Sequence, residues 1–265
     1  MFEVNKLLTI AGSDCSGGAG IQADLKTFAA FGCYGASVIT SVVAENTQRV
    51  LSVHNVPADE VGKQLDAVFE DIEISAVKLG MLPTVEIIDV VAEKLRQYIP
   101  PHIVCDPVLV ATSGDALSES GVIPAYVEKI FPLAELITPN IPEAEAFTGM
   151  KINTIEDVGA AAAKLLQMGA NNVLIKGGHL NDEFSATDYL VVNGEPYTIS
   201  EERVNSPNTH GTGCTLSSAI AVGLAHDRSL FEAVRNAKRY VTMAIENSYT
   251  VGKGHSPVNH FFELK

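Results

Sequence analysis

Residues 7–28 read LLTIAGSDCSGGAGIQADLKTF, which is a short apolar run, a glycine-rich loop and an amphipathic segment in succession. The apolar run 7–10 predicts a buried strand. Ile21, Leu25 and Phe28 fall on one face of a helix at i, i+4 and i+7. The segment therefore predicts a strand–loop–helix unit, and the rest of the chain repeats this pattern.

The same alternation continues almost to the end of the chain. Further strands are predicted at 38–43, 50–56, 76–79, 103–105, 136–137 and 173–175, and a hairpin at 188–193 and 195–199. Helices are predicted after Pro57 and Pro83 and at 122–130, 154–168, 215–225 and 230–247. This order predicts an α/β fold, with a mostly parallel central sheet and helices on both faces. Without a linker or repeat, 1–265 is predicted to be a single domain.

Composition narrows the classes of partner. The chain has 265 residues, and 18 Lys plus Arg against 32 Asp plus Glu give a formal net charge of −14. An excess of acid disfavours nucleic acid and anionic membrane surfaces, both of which attract clustered Lys and Arg. No apolar stretch reaches the roughly 18 residues of a membrane span, and residues 1–6 do not resemble a signal peptide. Four scattered cysteines favour a reducing compartment, so we expect a cytoplasmic protein.

Polar side chains follow most of the predicted strands. In parallel sheets, ligands bind beyond the carboxyl ends of the strands, so these residues are expected to share one edge. They are Gly12-Ser13-Asp14, Glu45-Asn46, Gly80-Met81, Asp106-Pro107, Thr138-Pro139-Asn140 and Lys176-Gly177-Gly178. Carboxylates, an amide, a lysine and glycine-rich turns together indicate a phosphate and metal site.

The first glycine-rich loop leaves two interpretations open. Gly12 and Gly17 have P-loop spacing, but the lysine that a P-loop requires is missing. Gly18, Gly20 and Ala23 fit a looser dinucleotide fingerprint, with Glu45 as the ribose-binding acid, which would suit an NAD(P)-dependent oxidoreductase. The alternative is a tight strand-to-helix turn without a ligand.

The second glycine-rich loop, 208–214, precedes an uncharged helix. A helix N-terminus with glycines beside it binds anions, which predicts an anion hole at Gly211 to Gly213. Cys214 would lie in the same field, which lowers the pKa of a thiol and makes Cys214 a candidate base. The alternative for Cys214 is a small buried residue in a helix–sheet contact.

Two further strand ends carry candidate metal ligands. The oxygens of Asn140, Glu143 and Asp106 suit a hydrated Mg²⁺ that is bound mainly through substrate phosphates. Asn140 and Glu143 alone are equally typical of an ordinary helix cap. Lys176 is either a phosphate ligand or a solvated turn lysine.

Taken together, these motifs resemble one family over residues 8–262: the hydroxymethylpyrimidine/phosphomethylpyrimidine kinases of thiamine biosynthesis, in the ribokinase-like superfamily. The motifs are GSDCSGGAGIQADLK at 12–26, ENT at 45–47, KLGM at 78–81, DPV at 106–108, TPN at 138–140, KGGH at 176–179 and HGTGC at 210–214. The resemblance implies a three-layer ribokinase-like domain, usually homodimeric. It also implies phosphorylation of 4-amino-5-hydroxymethyl-2-methylpyrimidine, and then of its monophosphate, with ATP and Mg²⁺.

The resemblance also assigns roles by position. Gly211, Thr212, Gly213 and Cys214 would form the anion hole, with Cys214 as the base. Asn140, Glu143 and Asp106 would lie in the Mg²⁺-phosphate region, with Glu143 and Asp106 as metal ligands and Lys176 on the ATP phosphates. The pyrimidine pocket would be lined by Gly12, Ala19, Val43, Glu45, Met81 and Val108. Residues 109–121 match a flap over the site.

Some questions stay open at this level. Cys15 and Ser256 depart from the family's usual Pro and Gly. A 4-aminopyrimidine presents a donor beside an acceptor, so either Glu45 or the ring must carry an added proton. A pyridoxal kinase on the same scaffold and a non-catalytic ligand-binding relative remain alternatives.

Overall fold

Strands and helices alternate along the chain in a computed structural model that describes residues 4–109, 121–177 and 184–263. The strands are β1 (Lys6–Asp14), β2 (Tyr34–Glu45), β3 (Val50–Asn55), β4 (Ala76–Leu79), β5 (Ile103–Cys105), β6 (Leu136–Ile137), β7 (Val173–Ile175), β8 (Ser185–Val192) and β9 (Glu195–Glu202). The helices are α1 (Gly20–Ala30), α2 (Ala58–Phe69), α3 (Val85–Tyr98), α4 (Val122–Ala125), α5 (Ile141–Thr148), α6 (Ile155–Gln167), α7 (Thr212–Ala225) and α8 (Leu230–Glu246). The predicted alternation is confirmed.

Within these described ranges, the strands form one sheet in the order β3-β2-β1-β4-β5-β6-β7-β8-β9. The six strands β2, β1, β4, β5, β6 and β7 run parallel to one another. Antiparallel pairs join β3 to β2, β8 to β7 and β9 to β8. The carboxyl ends of β1, β2, β4, β5, β6 and β7 therefore meet at one edge. The predicted mostly parallel α/β fold is confirmed.

Two hydrophobic clusters cover the two faces of the sheet. One contains Leu65 of α2 and Val91 of α3, with side chains of α5 and α6. The other contains Phe28 of α1, Ile220 of α7 and Val234 of α8. The helices of each cluster pack against one face of the sheet, and α7 is buried on all sides over residues 215–224, which gives the three layers.

Helix α7 begins earlier than the sequence predicts. The predicted start at residue 215 is wrong, because α7 begins at Thr212 and Gly211 is its N-cap with φ 79°. Glycine adopts positive φ without a steric cost, so the chain enters the helix directly after this turn. Cys214 consequently lies in the first turn of α7.

The predicted helix 122–130 is also modified. It is α-helical over Val122–Ala125 and continues as a π-helical turn over Tyr126–Ile130. The buried Tyr126 hydroxyl donates to the Gly80 carbonyl and accepts from the Leu82 amide, each at 3.2 Å. This contact fixes the loop that follows β4.

Part of the predicted flap 109–121, residues 110–120, lies outside the described residues, as do Gly178 and His179. Among the described residues, no helix has the length and apolar composition needed to span a bilayer.

Candidate active site

A cavity of about 670 Å³ opens at the carboxyl edge of the parallel strands. The structure brings every predicted site residue to its wall. These are Gly12, Ala19, Val43, Glu45, Met81, Val108, Asp106, Asn140, Glu143, Lys176, Gly211, Thr212, Gly213 and Cys214. The cavity continues between β8, β9 and α8, so it is longer than the predicted residues alone imply.

Lys176 and Asp106 form an ion pair in the wall of the cavity. Lys176 Nζ donates to Asp106 Oδ1 at 2.6 Å, and the Thr138 hydroxyl donates to the same oxygen at 3.2 Å. Burial opposes the charge of Lys176, but the carboxylates of Asp106 and Glu143 outweigh it and raise the pKa of the ammonium. Lys176 is therefore a charged group in the cavity wall and not a solvated turn residue.

Asn140 and Glu143 form the capping box of α5. The Asn140 side chain accepts from the Glu143 amide at 2.9 Å, and Glu143 Oε2 accepts from the Asn140 amide at 2.8 Å. This confirms the interpretation of the pair as a helix cap. Burial raises the pKa of Glu143 to about 7, against the opposing charge of Lys176. Glu143 therefore caps the helix and also contributes to the electrostatics of the cavity.

The turn before α7 packs closely on the first glycine loop. An ideal Cβ at Gly211 would lie 1.9 Å from the Gly18 carbonyl oxygen, so only glycine fits there. A Cβ at Gly213 would lie 3.2 Å from Lys176 Nζ and 3.4 Å from Asp106 Oδ2. The N-terminus of α7 thus faces the Lys176–Asp106 pair, and its amides and the lysine can bind one anion together.

Cys214 does not have the acidic thiol that its position predicts. Burial raises the pKa of this thiol to about 11, although the nearby Lys78 ammonium and a hydrogen bond from the Gly20 backbone act in the opposite direction. The expected lowering is therefore wrong, because loss of hydration outweighs the field of the helix terminus. Cys214 carries its proton at neutral pH.

Asp14, Glu45 and His210 also line the cavity, with ligand-type atoms within 4.8 Å of one another. Asp14 accepts hydrogen bonds from the Ser16 amide and hydroxyl, the Gly18 and Ala19 amides and His210 Nε2. Burial and the neighbouring Asp14 raise the pKa of Glu45 to about 7. A contact with a 4-aminopyrimidine requires a proton either on Glu45 or on the ring, and the raised pKa of Glu45 favours the first alternative.

Two buried ion pairs at the cavity were not predicted from the sequence. Lys78 Nζ lies 2.9 Å from Asp24 Oδ2, and both side chains are fully buried. Lys238 Nζ lies 2.8 Å from Asp188 Oδ2, and Asp188 Oδ1 accepts from the Gly177 amide at 3.0 Å. A lysine within the otherwise apolar strand 76–79 was a usable signal, since buried lysines are almost always paired.

The glycines of the dinucleotide fingerprint have another use. A Cβ at Gly18 would lie 2.3 Å from His210 Cδ2, and one at Gly20 would lie 2.3 Å from the Gly12 carbonyl oxygen. These glycines allow the chain to pack on itself, which supports the interpretation as a tight turn.

The chain matches the family model described as phosphomethylpyrimidine kinase over residues 14–259. It is 49% identical over 259 residues to the thiamine biosynthesis bifunctional protein ThiED of Geobacter sulfurreducens; the match covers 98% of this chain and 53% of that protein, so the chain spans about half of it. It is 45% identical over 264 residues to the hydroxymethylpyrimidine/phosphomethylpyrimidine kinase of Haemophilus influenzae, with 98% of both chains covered.

Two solved structures share the fold of this chain. A phosphomethylpyrimidine kinase from Clostridium difficile is 46% identical with a TM-score of 0.80, covering 91% of this chain and 99% of that one. An ADP complex of Bacillus subtilis pyridoxal kinase is 37% identical with a TM-score of 0.92, covering 99% of this chain and 100% of that one. The nicotinamide-dependent alternative is left without support. With a match over most of its length and this cavity, the chain belongs to the phosphomethylpyrimidine kinase family.

Proposed function

We propose that the chain phosphorylates the 5-hydroxymethyl oxygen of 4-amino-5-hydroxymethyl-2-methylpyrimidine with ATP. It then phosphorylates the monophosphate, which gives the pyrimidine pyrophosphate for thiamine biosynthesis. The observation that carries the proposal is that one cavity is lined by Glu45, by Lys176 and by the N-terminus of α7. A small heteroaromatic alcohol and a nucleotide can therefore meet within it.

Glu45 would recognise the pyrimidine. A protonated carboxyl group donates from one oxygen and accepts with the other, which matches the ring nitrogen and the 4-amino group. Gly12, Ala19, Val43, Met81 and Val108 would supply the apolar remainder of the pocket. A Cβ at Gly12 would lie 2.7 Å from the Met81 methyl carbon, so glycine allows Met81 to reach across the pocket floor.

We expect the affinity for hydroxymethylpyrimidine to fall as pH rises above 7, and Glu45→Gln to remove that dependence while binding persists. Glu45 has a pKa of about 7 and must keep its proton to donate, whereas an amide donates and accepts at every pH. Calorimetric titrations between pH 6 and 9 measure this. If both proteins show the same pH profile, Glu45 does not contact the pyrimidine.

The phosphates of ATP would bind Lys176, Asn140 and the amides of Gly211 to Gly213. A relative was solved as an ADP complex, and another with AMP-PCP and pyridoxal. A loose phosphoryl transition state needs positioning and charge stabilisation more than covalent chemistry. The ammonium and the amides of α7 provide both.

Asp106 and Glu143 fit a Mg²⁺ ion that ATP brings with it. Mg²⁺ is usually held through one or two carboxylates, with phosphate and water oxygens completing its shell. Asp106 Oδ1 is taken by Lys176 and Thr138, while Oδ2 faces the Gly213 turn. When bound, the ion would neutralise phosphate charge.

Cys214 would accept the proton of the substrate hydroxyl. Because the thiol has a pKa of about 11, only a small fraction is thiolate at neutral pH. Backbone amides and Lys176 would consequently supply more of the rate than the base does.

Replacing Cys214 with alanine should lower kcat by about 10²-fold, the typical value of a positioned base. In the wild type, kcat should rise with pH between 7 and 9 as more thiolate forms, and this rise should vanish in Cys214→Ala. Steady-state rates across that range provide the test. Cys33→Ala, which removes a buried thiol outside the cavity, is the matched control. A Cys214→Ala kcat within a few-fold of wild type would show that Cys214 is not the base and that the backbone amides act by charge stabilisation alone.

We further propose a cytoplasmic homodimer. The four cysteines are unpaired, which suits a reducing compartment. The sheet edge at β2 and β3 exposes Val42, Leu51 and Val53, which supports association through that edge. Sedimentation equilibrium of wild type and Leu51→Lys tests the dimer, and a monomeric wild type contradicts it.

Pyridoxal phosphorylation is the second candidate, because of the TM-score of 0.92 to a pyridoxal kinase. ADP release from Mg-ATP should be measured with hydroxymethylpyrimidine, its monophosphate, pyridoxal and ribose. We expect the two pyrimidines to be preferred, since pyridoxal lacks the 4-amino donor for Glu45. Preference for pyridoxal would establish the second candidate, and binding without ADP release would indicate a non-catalytic relative.

A further inference from the structure

His210 lies in the cavity wall and contacts residues of the first glycine-rich loop. Its Nε2 lies 2.9 Å from Asp14 Oδ2, and its backbone amide donates to the Ser256 carbonyl at 3.2 Å. Its ring packs against Gly18, where a Cβ would lie 2.3 Å from Cδ2. The next residue, Gly211, is the N-cap of α7. His210 thus connects the turn that would bind phosphate to the loop beside Glu45.

Asp14 has little capacity left for another donor. Ser16 Oγ, the Gly18 and Ala19 amides and His210 Nε2 all approach Oδ2 at 2.8–3.0 Å, and the Ser16 amide approaches Oδ1 at 2.7 Å. Burial raises the pKa of Asp14, but the hydrogen bonds from His210, Ser16 and Ala19 outweigh it and hold the pKa below its usual value. An ionised Asp14 beside Glu45, with ligand-type atoms of the two residues within 4.8 Å of each other, favours the protonated form of Glu45.

Asp14 and Glu45 favour the cationic form of His210. Burial disfavours the imidazolium, yet Asp14 and Glu45 together raise the pKa of His210 above its usual value. Its charge in turn favours ionisation of Glu45 and opposes the effect of Asp14. The protonation of Glu45 and that of His210 therefore each depend on the charges of the other two groups.

Other polar groups around the cluster are engaged elsewhere. The Cys15 thiol donates to the Glu45 carbonyl at 3.2 Å, and Lys26 Nζ of α1 donates to the Gly17 carbonyl at 2.7 Å. In the segment 254–257, which packs on His210, His255 Nδ1 lies 3.0 Å from the Pro207 carbonyl. Among the described residues, Asp14 and Glu45 are therefore the ionisable side chains that act directly on His210.

The same three side chains have the composition of a metal site, but their bonding argues otherwise. Asp14 already accepts five hydrogen bonds, and the Nε2 that would bind a metal contacts Asp14 instead. A charged imidazolium has no lone pair to offer a metal. The arrangement suits a proton-sharing network.

We propose that His210 is a positioning residue that, through Asp14, sets the pH range over which Glu45 holds its proton and the pyrimidine binds. This inference rests on the proposed contact between Glu45 and the pyrimidine. It predicts that the pH dependence of substrate affinity is controlled by a residue that does not touch the substrate.

The test variant is His210→Gln, which keeps an N–H donor for Asp14 and removes the positive charge. Without that charge Glu45 should keep its proton to higher pH, so the fall in hydroxymethylpyrimidine affinity should move upward by about one pH unit. Calorimetric affinities from pH 6 to 9 measure the shift. His255→Gln is the matched control, because its ring contacts a backbone carbonyl, and its profile should follow the wild type.

The outcomes separate the two proposals. If wild-type affinity does not change with pH, or Glu45→Gln keeps the wild-type profile, the contact between Glu45 and the pyrimidine fails. If Glu45→Gln removes the dependence but His210→Gln leaves its midpoint unchanged, the role of His210 is overturned.

A second measurement does not depend on folding of the His210 variant. NMR titration of the His210 ring should show a lower pKa in Glu45→Gln than in the wild type, since a neighbouring anion has been removed. Identical titrations in the two proteins would also overturn the inference.

Discussion

Gly211→Ala should abolish turnover, with kcat falling by about 10³-fold or more, the scale seen when preorganised donors to a transition state are lost. The new Cβ would lie 1.9 Å from the Gly18 carbonyl oxygen, and φ at this position is +79°. The turn must move to relieve the contact, and the first amides of α7 move with it. Stopped-time ADP assays and pyrimidine calorimetry should show lost rate with retained pyrimidine binding.

The control for Gly211→Ala is Gly194→Ala. Gly194 has φ +83° in the β8–β9 hairpin, and a Cβ there would meet nothing within 4 Å. It introduces the same backbone strain, about 1–2 kcal/mol, far from the cavity. Thermal unfolding should therefore show a cost in both variants, while activity falls in one. Near-normal kcat in Gly211→Ala would remove the α7 amides from the mechanism.

Lys176→Met should lower kcat/KM for ATP by about 10²–10³-fold while the affinity for the pyrimidine stays close to wild type. The ammonium sits 2.6 Å from Asp106 and also lowers the pKa of Glu143. Its removal leaves Asp106 uncompensated where phosphates would bind. It also raises the pKa of Glu143 above about 7, so Glu143 becomes protonated at neutral pH. The concentration of Mg²⁺ needed for half-maximal rate should increase.

Two comparisons sharpen the Lys176 experiment. Lys176→Arg keeps the charge and should retain part of the rate. Lys63→Met removes an exposed lysine that pairs with Asp59 and Glu60 on α2, and it should leave all kinetic constants unchanged. A Lys176→Met enzyme with normal KM for ATP but a changed preference among alcohols would place Lys176 in the acceptor half of the cavity.

Much of the fold could be predicted because local signals and burial agree. The predicted strands match the structure residue for residue at 76–79, 103–105, 136–137 and 173–175. Strands of a parallel sheet are buried on both faces, so they stand out in the sequence as short, mostly apolar runs between polar turns. The start of α7 could not be found the same way. Gly213 looks like a loop residue, and only the positive φ of Gly211 shows that the helix begins beside it.

The position of the site was also predictable, because carboxyl ends of parallel strands converge whatever their sequence. Its electrostatics were not. Burial, which no local pattern records, decides the thiol pKa of Cys214. Asp14 and His210 are 196 residues apart along the chain, and Lys78 and Asp24 are 54 residues apart. These two pairs therefore form only once the layers have packed.

The segment 254–257 packs on His210, and its contacts affect the order in which a newly synthesised chain folds. The Thr47 carbonyl accepts from the His255 amide at 2.8 Å, the Thr47 hydroxyl accepts from the Gly254 amide at 3.1 Å, and Ser256 accepts from His210. A ribosome synthesises residue 47 long before residue 254. The sheet can assemble around β1 while the chain is still growing, but the loop beside Glu45 gains its final contacts only after residue 256 has emerged. Newly made chains should therefore acquire structure before they acquire the ability to bind substrate.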